Sequence, residues 1–229
     1  MIFENKKILI VVAHPDDEVL GCGGIISKFS SRAQFKIIYI AEGSSVRFPT
    51  REDPTISCEI EKRNSGSLVL NKYGISDLIF HNFPCGNLIN LDPKKIHDVI
   101  NQDVTDFKPD IVITHNKHDN HQDHRVVYEA VLVSFRPIED RRRITILSFE
   151  ALSSTEWNFE QPFVPNLFVN LSQEDLENKV KMLESYATEI RDYPFPRSSD
   201  GIRTLASYRG IQSGFTAAEA FKIIRTPVI

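Results

Sequence analysis

The run Lys7-Ile8-Leu9-Ile10-Val11-Val12-Ala13 passes without a break into His14-Pro15-Asp16-Asp17-Glu18. An Ile- and Val-rich run with no polar alternation reads as a strand buried on both faces, as in a parallel sheet. Similar runs recur at 35–41 (FKIIYIA), 78–83, 110–114 (DIVIT) and 144–149 (ITILSF). Between and after them, apolar residues at helical spacing predict helices over 18–29, 59–73, 93–107, 123–135 and 172–187, the last capped by Ser172. Alternation at this spacing predicts right-handed βαβ units and an α/β fold, a mostly parallel sheet flanked by helices. The segment 191–201, with Pro194 and Pro196, reads as a loop. No repeat, low-complexity tract or linker divides the chain, so residues 1–229 read as one domain.

Composition narrows the function classes. The 27 basic and 31 acidic residues are spread along the chain and give no extended basic surface for nucleic acid. The one basic run, Arg141-Arg142-Arg143, precedes an apolar strand and reads as a solvated turn. The first seven residues contain no long apolar segment, and no stretch reaches the roughly 18 apolar residues of a membrane span. A cytoplasmic protein is therefore expected. Cys22, Cys58 and Cys85 are too few and too scattered for a disulfide framework or a cysteine-rich zinc site, and read as reduced and packed.

The chemistry concentrates at two places. His14-Pro15-Asp16-Asp17-Glu18 falls at the carboxyl end of the first strand, the edge where open α/β sheets bind ligands. Three carboxylates and a histidine on one turn repel one another and lose solvation unless a cation compensates them. The second place is 114–124, Thr114-His115-Asn116-Lys117-His118-Asp119-Asn120-His121-Gln122-Asp123-His124, which holds four of the chain's seven histidines at another strand end. Histidine and carboxylate suit Zn²⁺ or Fe²⁺, and a catalytic zinc site takes three protein ligands and keeps one position open. Two distant ligand-rich segments, both at strand ends, are placed to converge on one ion. His81 and His97 read as isolated surface or hydrogen-bonded residues, and His115 and His118 as shaping their loop. Gly21-Cys22-Gly23-Gly24 lacks both the P-loop ending and the dinucleotide spacing, and reads as close packing of a helix on the sheet.

Together these motifs resemble the LmbE-like, or PIG-L, family of metal-dependent N-deacetylases. The resemblance is carried by Ala13-His14-Pro15-Asp16-Asp17-Glu18 and Asp119-Asn120-His121-Gln122-Asp123-His124. It extends to Ser154-Thr155-Glu156-Trp157, 193–198 (YPFPRS) and 213–221 (SGFTAAEAF). It implies a Rossmann-like three-layer sandwich, a Zn²⁺ or Fe²⁺ ion held by His14, Asp17 and His124, and Asp16 as general base. It further implies His121 as oxyanion stabiliser, Asp123 as a partner orienting one of the histidines, an N-acetylated sugar as substrate, and self-association. Two positions depart from the family: Pro84 is followed by Cys85-Gly86-Asn87 rather than an Asp-Asn pair, and the helix at 59–73 carries Arg63-Asn64-Ser65-Gly66 at its middle. Both bear on specificity. Two other functions fit the residues: an amidohydrolase of a non-sugar N-acylated compound, and a non-catalytic metal- or sugar-binding protein. The spare carboxylate of Asp16 argues against the second, because a structural metal site is closed. Trp157, Tyr193 and Phe195 read either as a sugar-stacking wall or as ordinary packing.

Overall fold

The computed structural model describes residues 2–44, 53–138 and 143–227, with backbone alone for 53–59. Arg141 and Arg142 of the basic run and the side chain of Cys58 lie outside the described residues. Among the described residues thirteen strands and α-helices follow in order: β1 (Lys7–Val12), α1 (Asp17–Phe29), β2 (Gln34–Ala41), α2 (Asp53–Asn71), β3 (Leu78–Phe83), α3 (Pro93–Asp103), β4 (Ile111–Thr114), α4 (Gln122–Ser134), β5 (Thr145–Phe149), β6 (Leu167–Asn170), α5 (Gln173–Glu184), α6 (Ser199–Ser213) and β7 (Ala218–Arg225).

The strands form one sheet in the order β3-β2-β1-β4-β5-β7-β6. The first five pair in parallel, as expected, while β7 runs antiparallel to both β5 and β6. Strand β1 lies in the middle of the five parallel strands and divides its side chains by parity. Ile8, Ile10 and Val12 join a core with Val19 and Ile26 of α1, Leu70 of α2, Leu176, Val180 and Leu183 of α5, and Ile202 and Ala206 of α6. Leu9 and Val11 join a second core with Ile96 and Ile100 of α3 and Val127 and Val131 of α4. This division is the three-layer sandwich that the resemblance implies.

Local chemistry sets the helix ends. Ser172 caps α5 in a reciprocal box with Asp175, as its sequence predicts. Asp92 caps α3 ahead of Pro93, and Ser198 caps α6. Helix α2 begins six residues before the expected 59, and α6 starts inside the segment read as a loop. The glycines of α1 are packing glycines: a Cβ on Gly21 would lie 2.2 Å from the Phe149 ring of β5, and one on Gly24 2.7 Å from Leu171. Gly66, a departure from the family pattern, has the same explanation, since a Cβ there would meet the Tyr186 hydroxyl at 2.5 Å.

Candidate metal centre and active site

The sheet order reverses at β1, so β2 and β4 leave it on opposite sides and open a crevice at the carboxyl ends of β1 and β4. The two ligand-rich segments follow these two strands. An open cavity of about 270 Å³ is lined there by His14, Asp16, Asp17, His121 and His124, with Cys85, Lys62, Glu189, Arg191 and Arg197 among the other walls.

Among the described residues, three groups of three donors stand within 4.8 Å of one another: His14, His121 and His124; His14, Cys85 and Asp123; and Asp17, His115 and His124. Hydrogen bonds sort them. His115 Nε2 accepts the Ala13 backbone N–H at 2.9 Å, which occupies its lone pair. His121 Nδ1 accepts the Asp123 N–H at 3.2 Å and so caps α4, which leaves Nε2–H as a donor. Asp123 Oδ2 accepts from His14 Nε2 at 3.1 Å and from Gly86 N–H at 2.5 Å, and its Oδ1 from Leu88 N–H at 3.2 Å. On the other side, Asp119 Oδ1 faces His124 Nδ1 at 3.1 Å. Each of these two histidines thus has one nitrogen held by a carboxylate and the other pointed at Asp17: Asp17 Oδ2 is 3.3 Å from His14 Nδ1 and 3.4 Å from His124 Nε2.

These spacings fit a metal. A tetrahedral ion with bonds of about 2.0–2.1 Å has ligand atoms about 3.3 Å apart, and metal-binding histidines commonly give their second nitrogen to a carboxylate. Charge agrees. Burial pulls the His124 imidazole down, but Asp17 and Asp119 overcome it and raise its pKa to about 9. His14 is likewise held well above its usual value against burial by Cys85, Asp123 and Asp17. Burial alone would raise the Asp17 carboxyl, yet His124 and His115 drive it well below the usual carboxylate range. The carboxylates thus favour positive charge at His14 and His124 in particular.

The remaining expected residues also gather here. Asp16 is buried and sits at φ 125°, a conformation costly for a non-glycine residue. Burial, Asp17 and Glu189 push its pKa up to about 6, against the pull of Arg197 and Lys62. Burial beside His14 and His124 lowers His121 to about 4, so it is a neutral donor through Nε2. His115 is closer to the centre than a loop-shaping role requires: fully buried, stacked on His124 at 3.8 Å between ring centroids, and without a hydrogen-bond partner at Nδ1 among the described residues. His118 stays peripheral, offering its carbonyl to Asn158, and His81 pairs with Asp103 at 2.7 Å. Trp157 and Phe195 meet edge to face, with Trp157 and Tyr193 exposed.

Sequence reasoning passed over Asp119, the partner of His124, although it stands in the quoted motif. Ser154 and Thr155 donate to it from the opposite wall, which accounts for the Ser154-Thr155 pair. It also passed over Glu42, Glu189 and Arg197. Of the Cys85-Gly86-Asn87 departure, Cys85 lines the cavity; its N–H donates to Glu42, and the Gly86 N–H donates to Asp123.

The model of the PIG-L family, described as GlcNAc-PI de-N-acetylase, matches residues 9–135. The "Uncharacterized deacetylase YaiS" of Escherichia coli is 30% identical over 187 residues, 80% of this chain and 91% of that protein. The diacetylchitobiose deacetylase of Thermococcus kodakarensis is 25% identical over 232 residues, 96% of this chain and 83% of that protein. Among solved structures, N,N'-diacetylchitobiose deacetylase from Pyrococcus horikoshii superimposes with a TM-score of 0.75 at 20% identity, covering 96% of this chain and 84% of that one.

Proposed function

The chain belongs to the PIG-L family, and from that premise we propose that it is a metal-dependent N-deacetylase that hydrolyses the N-acetyl amide of an amino-sugar compound. The observation that carries this reading is the spacing of His14 Nδ1 and His124 Nε2 around Asp17 Oδ2, 3.3 and 3.4 Å, with Asp123 and Asp119 behind the two histidines. His14, Asp17 and His124 would hold the ion, Zn²⁺ or Fe²⁺ by the chemistry of the donors. When bound, the ion supplies polarisation of the acyl carbonyl and acidification of water.

The chain's own residues supply the rest. Asp16 lines the same cavity without belonging to the ligand set, and takes the proton of the attacking water as its oxygen bonds to the acyl carbon. His121 presents Nε2–H to the carbonyl oxygen as negative charge builds on it, a contact whose loss typically costs about 2.7–4 kcal/mol. The C–N bond then breaks and the amine nitrogen takes a proton, from Asp16 or through His121, giving acetate and a free amine.

The sugar assignment draws support from the diacetylchitobiose deacetylases among the relatives. Strands from both ends of the chain share one sheet, which supports reading residues 1–229 as one deacetylase domain; no described helix is long and apolar enough to cross a membrane. Amine release from N-acetylglucosamine and diacetylchitobiose, set against N-acetyl amino acids, tests the substrate class. Turnover of the sugars is expected. Cleavage confined to acyl-amino acids would move the reading to a non-sugar amidohydrolase.

A further inference from the structure

We propose that Arg197 is a positioning residue for Asp16, fixing the carboxylate in the orientation in which it acts as base. The inference rests on the role given to Asp16 above. Asp16 precedes α1 but makes no side-chain cap to it. Its carboxylate turns instead to a residue 181 positions away, where Arg197 Nη1 donates to Asp16 Oδ2 at 2.9 Å.

The guanidinium is itself held. The same Nη1 meets Glu189 Oε2 at 3.1 Å, and Lys62 Nζ grips the other oxygen of Glu189 at 2.7 Å while donating to the Gly43 carbonyl at 2.6 Å. The Phe195 ring lies 5.9 Å from the guanidinium carbon. The chain Asp16, Arg197, Glu189, Lys62 therefore ties the turn after β1 to the end of β2, to α2 and to the segment between α5 and α6.

Charge decides between positioning and substrate binding. Among the described residues the Asp16 and Glu189 carboxylates both face Arg197, and Lys62 faces Glu189, so the Arg197 guanidinium is engaged by carboxylates of the chain itself rather than offered to an anionic ligand. Only one oxygen of Asp16 is taken by Arg197. Among the described residues the other has no hydrogen-bond partner, and it is left to accept a proton. A base displaced by about 1 Å can cost on the order of 10²-fold in rate, so a fixed carboxylate is worth the burial of Asp16, Glu189 and Lys62 beside the half-buried Arg197. The arrangement also gives the Tyr193–Ser198 motif a task that neither composition nor the ligand set explains.

The test is a set of variants assayed on the fastest N-acetyl sugar of the panel above, each with its metal content and a crystal structure. Arg197→Ala is expected to keep its metal and a KM within about threefold, lose roughly 100-fold in kcat, and regain part of it with added guanidinium. Its Asp16 carboxylate should leave the place it has here. Combined with Asp16→Asn, Arg197→Ala should cost nothing further, since the two act as one unit. Arg197→Lys, a point charge without the planar fork, should fall between wild type and alanine, and covers the case in which alanine does not fold. Unchanged kcat in both variants, a raised KM with kcat intact, or multiplicative losses in the double variant would each overturn the proposal. Should the wild type release no amine from any sugar, the deacetylase reading fails on its own. The crystal structure still judges Arg197, and an unmoved Asp16 side chain in Arg197→Ala would sink the positioning role.

Discussion

At the scale of single residues, holding the ion and moving protons fall to different side chains. Asp16→Asn keeps the shape of the side chain and leaves the donors around Asp17 untouched, so the purified variant should carry wild-type metal while kcat falls about 10²–10⁴-fold. Near-normal turnover would remove Asp16 from the base role. His124→Ala removes the nitrogen 3.4 Å from Asp17, and should be purified without metal; full occupancy there means that the ligand set is wrong. Asp119→Asn keeps all three proposed ligands but weakens the grip on His124 Nδ1. It is expected to lower metal affinity about 10–100-fold, as measured by competition with a chelator. Much of this was legible in the sequence, because His14, Asp16 and Asp17 share one turn and His121, Asp123 and His124 another. Asp119 has no task legible along the chain, since nothing there announces that Ser154 and Thr155 arrive to hold it. Arg197 was hidden by the same logic, its partner lying 181 residues away.

At the scale of elements, α1 carries the site on its first turn and is anchored in a way its sequence conceals. Lys179 of α5 donates to the Leu20 carbonyl at 2.8 Å, while Glu219 of β7 accepts the N–H groups of Gly24 and Ile25 at 2.9 and 2.8 Å. The two charges pair with each other at 2.6 Å, both nearly buried. Breaking one side of such a pair costs about 3–5 kcal/mol. Lys179→Met should therefore lower Tm by roughly 10 °C, read by calorimetry, whereas a shift within a degree would mean that the pair contributes little. The same charges explain which elements sequence reading missed. A buried glutamate interrupts the apolar pattern of β7, and α6 buries Arg209 and Gly210 on its inner face, with Arg209 paired to Glu150. Strand β6, four residues long, finds its place only by pairing with β7. Strands β1, β2, β4 and β5 were readable because their burial on both faces needs no partner to be recognised.

At the scale of the whole molecule, the order β3-β2-β1-β4-β5 puts the sheet's reversal beside β1, and function follows from that placement. Strands β1 and β4 are neighbours in space though about a hundred residues apart, with Ile8 opposite Ile111. Their carboxyl ends therefore bring His14 and Asp17 against His124. The most direct measurement is elemental analysis of the purified protein, coupled to amine release from an N-acetyl sugar before chelation, after chelation and after metal restoration. About one divalent transition metal per chain is expected, with activity lost on chelation and regained when the metal returns. A protein that binds no metal even after reconstitution, or one that deacetylates equally well without it, would contradict the account.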